Sequence, residues 1–221
     1  MRWQVLVVGL AIAATNAIQA SAGSVFVSAF DGPWSLTSNP SLSYGVGDNT
    51  PPVVLPLAPG ATSVTITYES GLASAFGGTP PSVDALGYVG SPFCSGVGCT
   101  GIGSSGTPFP SFSIDPTNSG APIYLLALIG AFTDASGGVI GLPFAPGDGP
   151  FTIAIPAGAV DLSLGANDDI FSDNSGGWTI GVTGVSSSVP EPSTWAMMIA
   201  GFAGLGWLGY SRRRAIRSAA A

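Results

Sequence analysis

Histidine and lysine are absent from the 221 residues, and no arginine lies between Trp3 and Ser211. The five cations are Arg2, Arg212, Arg213, Arg214 and Arg217. Each absence removes a class of chemistry. A central region without cations has nothing to neutralise phosphates, which excludes a nucleic-acid partner. Without histidine or lysine there is no base for a serine or cysteine nucleophile, so neither a Ser-His-Asp nor a Cys-His unit can be assembled. Cysteine is nearly absent too. Cys94 and Cys99, with no histidine, cannot complete a zinc shell.

Negative charge remains. Residues 23 to 189 carry eleven carboxylates and no basic side chain. Mutual repulsion of that kind is relieved by a divalent cation, and oxygen ligands are what calcium takes. Carboxylate chemistry and oxygen-ligated metals are therefore the options left open.

The two ends differ from this middle. "MRWQVLVVGLAIAATNAIQASAGS" places Arg2 before an apolar run from Val5 to Ala14, followed by the small-x-small triplet Ala20-Ser21-Ala22. That order predicts a secretory signal peptide over 1–22, cut after Ala22. In an exported chain, Cys94 and Cys99 in "FCSGVGC" are expected to form a disulfide. Closing so small a loop contributes about 2 kcal/mol on the chain-entropy estimate.

Between the ends the pattern is β. The chain holds 33 glycines and 19 prolines, with period-2 apolar alternation between them. Val25, Val27 and Ala29 share one face, as do Val64, Ile66 and Tyr68. Phe151, Ile153 and Ile155 form a third set, Val160, Leu162 and Leu164 a fourth, and Trp178, Ile180 and Val182 a fifth. The near-continuous run from Ile123 to Phe132 suits a central strand. "PFCSGVGCTGIGSSGTPFP" reads as a long loop. Several short strands with turn signals favour an all-β sandwich or jelly roll.

The stretch "LSLGANDDIFSDNSGGWTIGV" puts Asn167, Asp168, Asp169, Asp173 and Asn174 in one loop between two strands. Two readings stand at this point. The loop can deliver several oxygens to calcium, or it is a hairpin whose Asp and Asn side chains make Asx turns. "IPAGAVDLSLGANDDIFSDNSGGWTIGV" resembles the last two strands of the galactose-binding-like β-sandwich of calcium-dependent galactophilic lectins. The resemblance implies Asp168, the Ile170 carbonyl, Asp173 and Asn174 as calcium ligands, with sugar hydroxyls on the metal. It also implies another backbone oxygen near Ala75 or Phe76. Asp173 stands where those lectins have an amide, and no histidine is present as an outer sugar contact.

Near the C-terminus, Trp195 to Tyr210 is a 16-residue uncharged segment followed by Arg212, Arg213 and Arg214. As a helix it would be about 24 Å long, marginal against a hydrocarbon core of about 30 Å. Its basic end would stay cytoplasmic. "PEPSTWAMMIAGFAGLGWLGYSRRR" resembles the PEP-CTERM sorting signal, with Pro190, Glu191, Pro192 and Trp195 in the motif positions. That resemblance implies an exosortase as partner, cutting near Pro190 to Pro192.

The expected organisation is a signal peptide (1–22), a galactose-binding-like β-sandwich or jelly-roll ectodomain (23–185) and a spacer (186–189). A sorting signal (190–214) with a transmembrane helix (195–210) and a cytoplasmic tail (215–221) complete it. The expected protein is an exported, non-catalytic, calcium-dependent carbohydrate-binding component of biofilm or exopolysaccharide. It is tethered transiently to the inner membrane, then moved to the cell surface or outside it, with extracellular polysaccharide as a partner. The alternatives are a purely structural surface protein and a two-carboxylate glycosidase using Glu69 with one of the aspartates.

Overall fold

The computed structural model describes residues 21–77, 82–89, 93–95, 101–110, 122–186, 198–199 and 201–203. Among them the chain is mostly β, with antiparallel sheets and almost no helix. The strands are β1 (Ser21–Ser28), β2 (Val53–Pro56), β3 (Ser63–Ser70), β4 (Ala73–Ser74), β5 (Phe93–Ser95), β6 (Gly101–Ile102) and β7 (Pro108–Phe109). They continue with β8 (Pro122–Tyr124), β9 (Leu128–Thr133), β10 (Val139–Phe144), β11 (Phe151–Ala154), β12 (Asp161–Ala166) and β13 (Ser175–Val185). One sheet runs β1-β13-β3-β11, with β4 also paired to β13. The second runs β10-β9-β12-β2. Two small pairs, β5-β8 and β6-β7, lie outside them.

The two large sheets share one core, which gives the molecule its sandwich-like character. Val27, Val64, Ile66, Trp178, Ile180 and Val182 come from the first sheet; Leu128, Ile129, Phe132, Phe144, Leu162 and Leu164 come from the second. The stacked rings of Phe144 and Phe151, 5.5 Å apart, link β10 to β11 across the sheets. Burying a side chain of this size contributes about 1.5–3 kcal/mol, so strands with one wetter face, such as β2, β3 and β11, alternate with period 2, whereas β9 and β12 are buried on both faces. On β1 the alternation is visible in the contrast between buried Val27 and Phe26, which is 58% exposed.

Four expectations need correction. The run from Ile123 to Phe132 is not one strand. It breaks at Leu125–Leu126, where Leu126 adopts φ 58°, and the two halves join different sheets. The apolar character comes from burial on both sides of that turn, which periodicity cannot separate from a strand. Val160, expected in the inward set with Leu162 and Leu164, lies just outside β12 and is exposed. The stretch read as a long loop contains the β6-β7 pair. Finally, β12 and β13 belong to different sheets, so the acidic loop is a crossover and not a hairpin.

β1 begins at Ser21, two residues before the expected mature terminus, and Ser21 pairs with Val185 at the end of β13. Ser186, first residue of the expected spacer, is held to the β2 region: its amide donates to the Pro56 carbonyl at 2.8 Å and its hydroxyl to that of Leu57 at 3.1 Å. Both ends of the described domain thus leave from one place.

Candidate cation site

The acidic crossover, residues 167–174, is held from beneath by an aromatic cluster. Phe171 is fully buried, its ring 5.8 Å from that of Tyr44, which meets Trp34 edge-on at 5.2 Å. The polar tips are satisfied, as buried tyrosine and tryptophan require. Tyr44 Oη donates to the Trp34 carbonyl, and Trp34 Nε1 to that of Leu42. Burial pushes the Tyr44 hydroxyl pKa well up, against the pull of its bond to Trp34.

Distant segments converge on the backbone above this cluster. Asp48 accepts from the amides of Phe171 and Ser172, both at 3.0 Å. Desolvation opposes its ionisation. The Ser172 hydroxyl and the two amides outweigh that and hold its carboxyl below the usual range. Gly77 donates its amide to the Asp173 carbonyl, and Val46 donates to that of Asp169 at 3.0 Å. Asn174 donates Nδ2 to the Ala29 carbonyl at 2.8 Å, and Asn167 donates Nδ2 to that of Tyr124 at 2.8 Å.

The two adjacent carboxylates face different surroundings. Asp169 accepts from the amide of Ser105 at 2.8 Å and from its hydroxyl. Asp168 is 3% exposed; its Oδ1 accepts from the amides of Asp169 at 2.7 Å and Ile170 at 3.3 Å. Its Oδ2 is buried with no protein partner, and the same holds for Oδ1 of Asn167 and Oδ1 of Asn174. All three are acceptors. Burial pushes Asp168 up to about 7. The Asp169 amide, the Asn174 side chain and the Ile170 amide pull the other way, and the Asp169 charge adds to the rise. Asp173 is raised, first by desolvation, then by the charges of Asp169 and Asp48 against the pull of its own amide.

A small cleft opens here, lined by Asp168, Asp169, Ile170 and Asp173 from the crossover, Ala75 and Phe76 from the turn after β4, Gly103 and Ser104, and Leu125. The fold therefore brings the sequence-expected residues Asp168, Ile170 and Asp173 to one cleft with Ala75 and Phe76. Asn174 stands beside Asp168. Asp173 differs from the expectation in being exposed on the rim, its carbonyl committed to Gly77. Three further features were missed. Asn167 was seen only as part of the loop, although its amide oxygen is also unpartnered, and nothing local marks Gly103 or Ser105 as neighbours of Asp169.

Among the described residues no three carboxylates or other His/Cys/Asp/Glu side chains gather into a metal-holding group. A cation here would draw on amide and backbone oxygens beside Asp168. That hard-oxygen donor set fits calcium and not a thiolate- or imidazole-seeking metal. Glu69 lies elsewhere, on the outer face of β3, where it accepts from Ser24 Oγ at 3.0 Å. Cys94 is on β5, while Cys99 and most of the sorting segment lie outside the described residues.

Residues 188–214 match the family model described as the PEP-CTERM protein-sorting motif. The chain carries this sorting signal. The motif supports an exported protein processed by exosortase, first as a membrane-anchored precursor and then at the cell surface. It spans Pro190, Glu191, Pro192, Trp195 and Arg212 to Arg214. No curated protein and no solved structure matches the chain. Within the expected helix 195–210, residues 198–199 and 201–203 are described, and all five are helical. Among the described residues no helix is long and apolar enough to cross a membrane, so the expected transmembrane helix is not seen in them.

Proposed function

We propose that this PEP-CTERM-bearing protein is a non-catalytic surface component that binds extracellular polysaccharide through a calcium ion at the acidic crossover. One observation carries the reading. Asp168 Oδ2, Asn167 Oδ1 and Asn174 Oδ1 are buried acceptors without partners in one eight-residue loop. A buried unpaired acceptor costs about 1–3 kcal/mol, and a cation is the ligand that relieves several oxygens at once. Asp168 and Asn174 would bind the ion, with the Ile170 carbonyl and rim Asp173 completing the shell alongside water or sugar hydroxyls. So few carboxylates suit the weak range of extracellular calcium modules, about 10⁻⁴ to 10⁻³ M.

The placement suits the role. β13 starts beside Asn174 and ends at Val185, where the chain heads toward the sorting signal. At about 3.3 Å per residue, the eleven residues of β13 span at most roughly 33 Å, and the crossover and that exit lie at its opposite ends.

The test uses the full-length chain in detergent. At a hundredfold excess over its dissociation constant, calcium stabilises the fold by about 2.7 kcal/mol; magnesium does less, and salt at equal ionic strength reports screening alone. Asp168→Asn weakens one ligand and reduces the calcium-specific shift, whereas Asp168→Ala with Asp173→Ala removes two carboxylates and abolishes it. If the double variant retains the full shift, the crossover is not the site.

The second reading, a structural surface protein, draws support from Asp168 Oδ1 and Asp48, which cap loop amides as ordinary turn residues do. Calcium-dependent retention on polysaccharide separates the two. Release of reducing sugar would instead support the glycosidase.

A further inference from the structure

Phe76 combines two features that folding alone does not favour. The residue is 57% exposed, and its backbone sits at φ 75°. A bulky residue in the left-handed region is strained by about 1–3 kcal/mol, and such strain clusters at ligand sites. Glycine would relieve it, and Gly77, the next residue, also has positive φ. The turn is nevertheless fixed: the Gly77 amide is bonded to the Asp173 carbonyl, and the Ala75 amide donates to Tyr88 Oη at 3.2 Å. The Tyr88 ring backs Phe76 at 5.7 Å, tilted by 57°. The result is a supported, solvent-facing aromatic wall on the cleft that also holds Asp168 and Asp173.

We propose that Phe76 is the stacking platform for a neutral sugar ring whose hydroxyls reach the cation at Asp168. This deepens the calcium-dependent carbohydrate reading and rests on it. A pyranose has an apolar C–H face and a hydroxyl edge. An aromatic wall beside a cation offers one surface for each, the usual construction of a ligand site from apolar area and a few placed polar groups. Charge selects the class. Residues 23 to 189 carry eleven carboxylates and no cation, so a polyuronate is repelled, whereas a neutral polysaccharide incurs no such cost.

The experiment measures retention of the full-length chain, in detergent with calcium, on immobilised dextran, mannan, galactan and xylan, with hyaluronan and polygalacturonate as acidic counterparts. Phe76→Gly relieves the backbone and removes the ring. It is expected to keep the calcium-dependent melting shift and to lose about tenfold in affinity for the neutral polymer that the parent binds. Phe76→Trp restores binding to within a few fold. Parent-like binding by Phe76→Gly, or a preference of the parent for the acidic polymers, overturns the platform and its specificity while leaving calcium-dependent binding standing. If the parent binds none of the six with calcium, the carbohydrate reading falls and this inference falls with it.

Discussion

Asn174 Nδ2 donates to the carbonyl of Ala29 at 2.8 Å, joining the end of the acidic crossover to the end of β1 across 145 residues. The same side chain leaves its Oδ1 buried without a partner beside Asp168. One amide thus serves the fold with its donor, while its acceptor is the oxygen that the proposed calcium ion would use. Asn174→Ala removes both roles. The Ala29 carbonyl loses this bond, a cost of about 1–3 kcal/mol that loss of the unpaired Oδ1 partly offsets, so without calcium stability falls by less than that. Urea denaturation without calcium measures the net; an unchanged midpoint would show that the bond is worth no more than the unpaired acceptor costs.

The Asp168 carboxyl predicts an unusual pH dependence. Its pKa is raised from 3.8 to about 7, mainly by burial. The folded state therefore holds a proton that the unfolded state has released. Stability from this group is complete below about 4 and is lost as pH rises to about 7. At 1.36 kcal/mol per pKa unit, the loss approaches about 4 kcal/mol. Asp48 and Asp134 have lowered pKa values, so their contributions are lost only as pH falls below about 4. Metal-free protein should be less stable at pH 8 than at pH 5. Calcium should flatten that slope by favouring the ionised form, and Asp168→Asn should remove most of it, leaving the smaller share due to Asp173, whose pKa is also raised. Melting temperatures at both pH values, with calcium or with a chelator, decide the matter.

Gly103 has no room for a side chain. A Cβ there would come 1.9 Å from Asp169 Oδ1. Gly103→Ala must push Asp169 off the Ser105 amide and hydroxyl. Overpacking typically costs about 1–3 kcal/mol, and the cleft lined by both residues should open with it. A calcium-dependent melting shift as large as the parent's would refute the coupling between β6-β7 and the crossover.

The sorting motif carries its own prediction. Glu191→Ala or Pro192→Ala should leave the full-length precursor in the inner membrane, which fractionation and blotting would detect. Normal arrival at the surface with the tail removed would count against recognition through Pro-Glu-Pro. Deleting Arg212 to Arg214 should disturb orientation, because a basic flank favours the cytoplasmic side of a membrane.

Much of the fold was legible along the chain. Alternation at Val25-Val27-Ala29, Val64-Ile66 and Trp178-Ile180-Val182 marks β1, β3 and β13, because a half-buried strand enforces a period of two wherever it sits. The sorting signal was legible for a different reason: its motif is contiguous and is read by another protein, whatever the domain does. The acidic residues of 167–174 were equally plain as a cluster.

Their arrangement was not. Whether β12 and β13 form a hairpin or a crossover depends on which apolar faces meet, and both strands alternate alike in either case. The break at Leu126 is hidden in an unbroken apolar run, because burial on both sides of a turn looks the same as burial in a central strand. Ser105 reaches Asp169 across 64 residues, and Gly77 reaches Asp173 across a longer stretch still. Composition and spacing determined that the oxygens would be acidic, close together and free of cations. Sheet packing determined which of them would be buried without partners, because desolvation is a property of what surrounds an atom and not of its place in the chain.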